Sequence, residues 1–176
     1  SALLFAACLA APVAQAATSM AKADYETAKE RIKATLKSER EACNARTGNA
    51  KDICVEEAKA KGKVARAELE ANYTGKERDR VKLAEARAEA TYAVAKERCD
   101  DLSGNAKDVC VKEAKAAQTK AKADAKMGKK VAEARKDATE DKRDADYKVA
   151  SERCEALAGA AKDACVAQAK ARFGKS

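Results

Sequence analysis

Three pairs of cysteines constrain this chain more than any other feature: Cys43 and Cys54, Cys99 and Cys110, Cys154 and Cys165, each pair eleven positions apart. Successive pairs follow at intervals of 56 and 55 residues, with matching sequence around them. "EREACNARTGNAKDICVEEAKA", "ERCDDLSGNAKDVCVKEAKA" and "ERCEALAGAAKDACVAQAKA" are three copies of one motif. A fixed period with local similarity marks an internal repeat. On one uninterrupted α-helix, residues eleven apart share a face but stand about 16 Å apart along the axis. A disulfide needs Cα atoms within about 7 Å. If the pairs are bridged, the helix must break between them.

The residues for a break are present. Gly104 suits the left-handed position that closes a helix. Asn105 suits the N-cap of the next helix, with Asp108 at its third position near the positive end of the dipole. Gly48, Asn49 and Asp52 repeat the arrangement; Gly159 and Asp163 do so with Ala160 at the cap. The spacing predicts an antiparallel helical hairpin stapled near its turn. Each staple closes a twelve-residue loop, worth roughly 3 kcal/mol in the chain-entropy model. The competing chemistries for the thiols are a metal site and a redox dithiol. Zinc-type sites use shorter Cys spacings and further Cys or His ligands, and the chain has no histidine. Dithiol oxidoreductases use Cys-x-x-Cys, a spacing absent here.

Composition agrees with helix. Of 176 residues, 46% are hydrophobic but only 3% aromatic, and 38% are charged. Alanine supplies most of the apolar fraction, and mean hydropathy is −0.60. Ala, Lys, Glu and Arg are strong helix formers, yet so thin an apolar content also permits disorder. Covalent staples tip that balance. The stripe Val81, Ala84, Ala88, Tyr92, Ala95, Cys99, Leu102 steps by three or four, as one face of a helix does. Cys54, Ala58, Ala65, Leu69, Tyr73 form a second stripe, and Tyr147, Ala150, Cys154, Leu157 a third. Tyr92 and Tyr147 lie seven residues before their cysteines, a slot that Leu36 takes in the first copy. These side chains are expected in packing rather than as ligand platforms.

The first residues, "SALLFAACLAAPVAQA", are uncharged and end in Ala14-Gln15-Ala16. They have the apolar region and small-residue cleavage site of a secretory signal peptide, so residues 1–16 are expected to be removed after Ala16. About 16 apolar residues are too few to span a membrane. Lipidation of Cys8 is a lesser alternative, since Phe5 sits where a lipidation box prefers leucine. Without Cys8, six cysteines remain in an exported chain, an even number that argues for disulfides. Two further breaks stay open: at Gly75 in "NYTGKERDR", where Thr74, Gly75 and Glu77 suit the end of one helix and the cap of the next, and at Gly128 in "KMGKKVAEA", an isolated glycine that a helix can also hold. With both there are about six helices; with neither, two very long central ones and two shorter ends. The expected fold is all-α: one domain, 17–176, a three-repeat array of stapled antiparallel hairpins. The repeats run approximately 17–74, 75–127 and 128–176, as a compact bundle or an extended rod.

"YAVAKERCDDLSGNAKDVCVKEAKA", "DKRDADYKVASERC" and the closing "AKARFGKS" resemble a group of exported Ala/Lys-rich proteins of Gram-negative bacteria labelled TolA-like cell-envelope proteins. The resemblance covers nearly the whole chain after residue 16. It implies an envelope location, and a long Ala/Lys-rich helix like the middle part of TolA. No Tol function is carried over with it.

Catalytic signatures are missing. There is no histidine to act as a general base near neutral pH and no Gly-rich phosphate loop. "DATEDKRDAD" gathers carboxylates but lacks the alternation and central Gly of an EF-hand; a salt-bridged helix surface is expected there. No enzyme activity, cofactor or metal site is expected. The net charge of +8 attracts polyanions in general, but acids and bases are mixed along the helices and stacking aromatics are few, so specific nucleic-acid binding is not expected. The expectation is a periplasmic, non-enzymatic helical repeat protein with a structural or protein-interaction role. The alternatives are a binder of anionic envelope components such as lipopolysaccharide or acidic lipid, and a hydrophilic, stress-protective helix former.

Overall fold

The computed structural model describes residues 20–175, so the expected signal peptide, 1–16, and Cys8 lie outside the described residues. Within them the chain forms five α-helices: α1 (Lys22–Ala42), α2 (Gly48–Thr74), α3 (Glu77–Cys99), α4 (Gly104–Cys154) and α5 (Gly159–Phe173). A short 3-10 turn, Cys43–Ala45, follows α1. Helix propensity is reinforced along exposed faces by pairs such as Glu26–Lys29, Glu30–Lys33 and Glu56–Lys59, each worth a few tenths of a kcal/mol.

Among the described residues, each helix packs only on its neighbours in the chain. The result is an open, antiparallel layer of helices rather than a closed bundle. α4 has 51 residues, about 76 Å at 1.5 Å per residue. Its first half lies against α3 and its end against α5. From Lys126 to Arg143, every residue of α4 except Ala132 is exposed.

Small side chains make the seams. The buried residues are chiefly Ala58, Ala60, Leu69 and Ala71 in α2 and Ala86, Ala88 and Ala90 in α3. A Cβ on Gly62 would stand 3.2 Å from Leu36 Cδ2, so α1 and α2 meet closely there. The slot seven residues before each first cysteine faces the slot eight residues after each second one. It holds Leu36 against Gly62 in the first hairpin, and Tyr92 beside Gln118 in the second, where Lys115 touches both. In the third, Tyr147 and Phe173 meet edge to face with centroids 6.3 Å apart.

The turns differ from expectation in one detail. The first helix of each hairpin ends at or next to its cysteine, whose carbonyl accepts a backbone N–H from three residues on: Arg46, Leu102 and Leu157. Gly48, Gly104 and Gly159 then open the second helix, with φ of +56°, +55° and +56°, instead of closing the first. Asn49 and Asn105 are second residues of their helices, not N-caps, and no side chain caps either start. Asp52, Asp108 and Asp163 fall at the fifth position, not the third. The reason is geometric: a positive φ lets glycine itself swing the chain into the new axis. No heavy atom lies within 4 Å of a Cβ built on Gly104, so conformation alone demands glycine. Gly104→Ala is expected to lower stability by about 1–2 kcal/mol, from the cost of a left-handed L-residue; chemical denaturation measures it.

Gly75 breaks the helix and Gly128 does not. Gly75 adopts φ +62° and its N–H caps Ala71 O. Around it, Thr74 Oγ1 accepts from Lys76 N at 3.2 Å and donates to Asp79 Oδ2 at 2.8 Å. At the matching offsets from Gly128 stand Met127 and Ala132, which can do neither. With no side chain to satisfy the freed backbone groups, helix propensity carries α4 through, and the expected repeat boundary at 127/128 lies inside it.

Candidate functional site

The three sulfur bridges fix the geometry of the whole layer. Cα atoms are 5.6 Å apart in Cys43–Cys54, 5.8 Å in Cys99–Cys110 and 5.7 Å in Cys154–Cys165. The first cysteine of each pair is fully buried and the second half-buried. A charged clasp crosses two of the turns beside the sulfur: Lys107 to Asp100 at 2.8 Å and Lys162 to Glu155 at 2.7 Å. The hydrogen bond to Asp100 raises the Lys107 pKa. In the first hairpin Asn44 takes the acidic position and Lys51 the basic one. Three disulfides fit an oxidising extracellular or periplasmic environment.

Asn49 serves another purpose than capping. Its amide donates to Glu97 O at 3.3 Å and to Asp101 Oδ1 at 2.6 Å, tying the first hairpin's turn to the end of α3. Asn105 meets no counterpart among the described residues, because α4 runs straight on instead of returning to place a helix beside it.

Two carboxylates hold the layer together, and neither stands out in the sequence. Asp79 is 1% exposed and joins Thr74, Lys82 at 3.0 Å and Arg78 at 3.6 Å. The hydrogen bonds from Lys82 and Thr74 hold its pKa below the usual carboxylate value. Glu89, in α3, pairs with Lys122 of α4 at 2.6 Å and with Lys63 of α2. Hydrogen bonds from these two lysines, Lys122 first, pull its pKa down to about 2. A carboxylate lowered by folding adds stability above its unfolded pKa of about 4.5, and loses it as pH falls toward 2. Glu89→Gln is therefore expected to cost most near neutrality and little below pH 2.5, a dependence that pH-resolved denaturation reads directly.

At the far end of the first hairpin, Tyr25 stacks on Tyr73 with ring centroids 4.2 Å apart. Its hydroxyl donates to Glu70 Oε2 at 2.6 Å, and that bond raises its pKa to about 12. The tyrosines thus act in packing. Tyr92 lies at the α3–α4 seam and Tyr147 at the α4–α5 seam, where Gln118 and Phe173 were not singled out by periodicity. Matching the repeats at equal distances from their cysteines would have found both.

An open groove of about 960 Å³ runs between α2 and α3. Val64, Ala65, Ala90, Val94 and Ala95 line it, with the half-buried Cys110 at one end. The ion pairs Glu57–Arg98, at 2.6 Å, and Glu68–Arg87, at 3.3 Å, hold its walls. Among the described residues, no three His, Cys, Asp or Glu side chains gather as a metal site, and no helix is long and apolar enough to cross a membrane. What this arrangement offers chemically is a rigid surface of small apolar and charged side chains. No family model, curated protein or solved structure matches the chain.

Proposed function

We propose that the protein is a non-enzymatic scaffold of the bacterial cell envelope, working in the periplasm, whose stapled helices present surfaces to other envelope proteins. The carrying observation is the pairing of three disulfides with a layer in which each helix touches only its chain neighbours. Covalent clamps hold a shape that a core of alanines holds weakly, and the open layer leaves both of its faces available. Envelope location draws on the signal-peptide pattern of residues 1–16, on the TolA-like resemblance and on the need for an oxidising compartment. Crosslinking in intact cells tests it. Defined envelope proteins should be captured by the native chain and lost with Cys99→Ser/Cys110→Ser. Six free thiols in the exported protein, or capture indifferent to the disulfides, would refute it.

A second reading, binding of anionic envelope components, is favoured by one exposed stretch. Between Lys120 and Lys136, seven lysines and arginines face two acids, Asp124 and Glu133. Retention on lipopolysaccharide at low ionic strength, released by salt, is expected from that reading; no retention removes it.

A further inference from the structure

The solvent face of α4 carries an apolar stripe with no partner among the described residues. Val109, Ala116, Ala123, Met127, Val131 and Ala134 recur at helical spacing, and Ala138, Ala145 and Val149 continue them, all exposed. Four of the six large hydrophobic side chains exposed in the described chain lie on it: Met127 at 60%, Val149 at 53%, Val109 and Val131 at 44% each. A soluble helix ordinarily turns such a stripe inward. Here α3 and α5 both lie against the opposite face, where Cys110, Gln118, Tyr147 and Cys154 are found.

Charge is distributed unevenly along the same helix. Residues 120–136 carry seven cations and two anions; residues 137–146 carry five anions, Asp137, Glu140, Asp141, Asp144 and Asp146, and two cations. A parallel neighbour would set like beside like. An antiparallel one sets the cationic half against the acidic half, twice over, by two-fold symmetry. Its register is fixed by the side chains. Centred between residues 135 and 136, it puts Lys130 opposite Asp141 of the second copy, Met127 near Ala145, and Ala123 near Val149. Met127 and Val149 each meet an alanine, and Ala134 lies near Ala138 at the centre, which lets two helix axes approach closely. The ion pairs within the chain on residues 120–146 are Lys122–Glu89, Lys129–Glu133, Arg143–Glu140 and Asp144–Lys175, so Lys130 and Asp141 have no intramolecular partner among the described residues.

We infer that this face of α4 is a self-association surface, on which a second copy of the chain docks antiparallel through Met127, Val131 and reciprocal Lys130–Asp141 pairs. An anionic lipid surface is the competing occupant, since basic amphipathic helices bind one. The acids Asp137 and Asp141 on the same face oppose it, and the stripe lacks the Trp, Phe or Leu that such helices insert. The inference stands apart from the proposed scaffold role, because it needs neither an envelope location nor a foreign partner.

Sedimentation of the disulfide-intact chain, after removal of residues 1–16, tests it across micromolar concentrations. A dimer is expected at low salt that weakens as salt is raised. Lys130→Asp alone and Asp141→Lys alone should each raise the dissociation constant by about tenfold, whereas the two combined in one chain should restore it. Met127→Glu/Val131→Glu should leave a monomer with unchanged helix content by circular dichroism. These positions are exposed, so folding is not at stake. A chain monomeric at all concentrations would overturn the inference, as would a dimer indifferent to Met127→Glu/Val131→Glu or not restored by the double charge swap. A monomer that binds acidic vesicles through this face would overturn it in favour of lipid.

Discussion

Reduction of the three disulfides is expected to abolish cooperative unfolding while leaving much of the helical circular dichroism in place. Each bridge closes a short loop worth roughly 3 kcal/mol, so together they are comparable to the whole net stability of a typical domain, about 5–15 kcal/mol. Little else would compensate. α1 contributes no fully buried residue and α5 only Ala169. Local helix would persist because Ala, Lys and Glu favour it without tertiary help, though short helices fray. The three bridges should not be equivalent. Cys154→Ser/Cys165→Ser is expected to release α5 alone, which is otherwise held by Tyr147–Phe173 and by Asp144–Lys175 at 2.5 Å. Cys99→Ser/Cys110→Ser loosens α3 from α4, with Glu89–Lys122 left to resist. Amide hydrogen exchange should show lost protection confined to the C-terminal hairpin in the first case and spread over α3 and α4 in the second.

Overpacking the central helix should be the most damaging single substitution outside the three bridges. Ala90 is 7% exposed and lines the α2–α3 groove with Ala60 and Val64. Leucine adds three carbons at this buried position, and an overfilled seam costs typically 1–3 kcal/mol. Ala90→Leu is expected within that range, with the adjoining groove taking up part of the added volume. A thermal melt several degrees lower is the readout. An unchanged melt would show that the α2–α3 groove opens without cost.

The hairpins were legible because the chemistry of a disulfide sets a distance that helical geometry violates. Cysteines eleven residues apart, with glycine between them, admit few solutions. The detail of the turn was less legible. Gly104 could equally end one helix or begin the next, since both use a positive φ, and only the register of the backbone separates the two. The sequence favoured a break at Gly75, flanked by Thr74 and Glu77, over one at Gly128, an isolated glycine that a helix can hold. The break at Gly75 is tied by Thr74 and Asp79, and Asp79 was not legible because its importance depends on a hydrogen-bonded knot formed only once the turn exists. The candidate site was the least legible part. Glu89 is one of many glutamates on a charged helix, and nothing local marks it as the residue that Lys63 and Lys122 reach from two neighbouring helices. The open layer follows from which helices meet, and composition is silent on that.

Peptide mapping of the non-reduced, exported protein is the most direct test of the central claim, that each helical return is clamped by its own sulfur bridge. The account predicts three cross-linked peptide pairs, Cys43 with Cys54, Cys99 with Cys110 and Cys154 with Cys165. Free thiols at these six positions, or bridges joining cysteines of different hairpins, would contradict it.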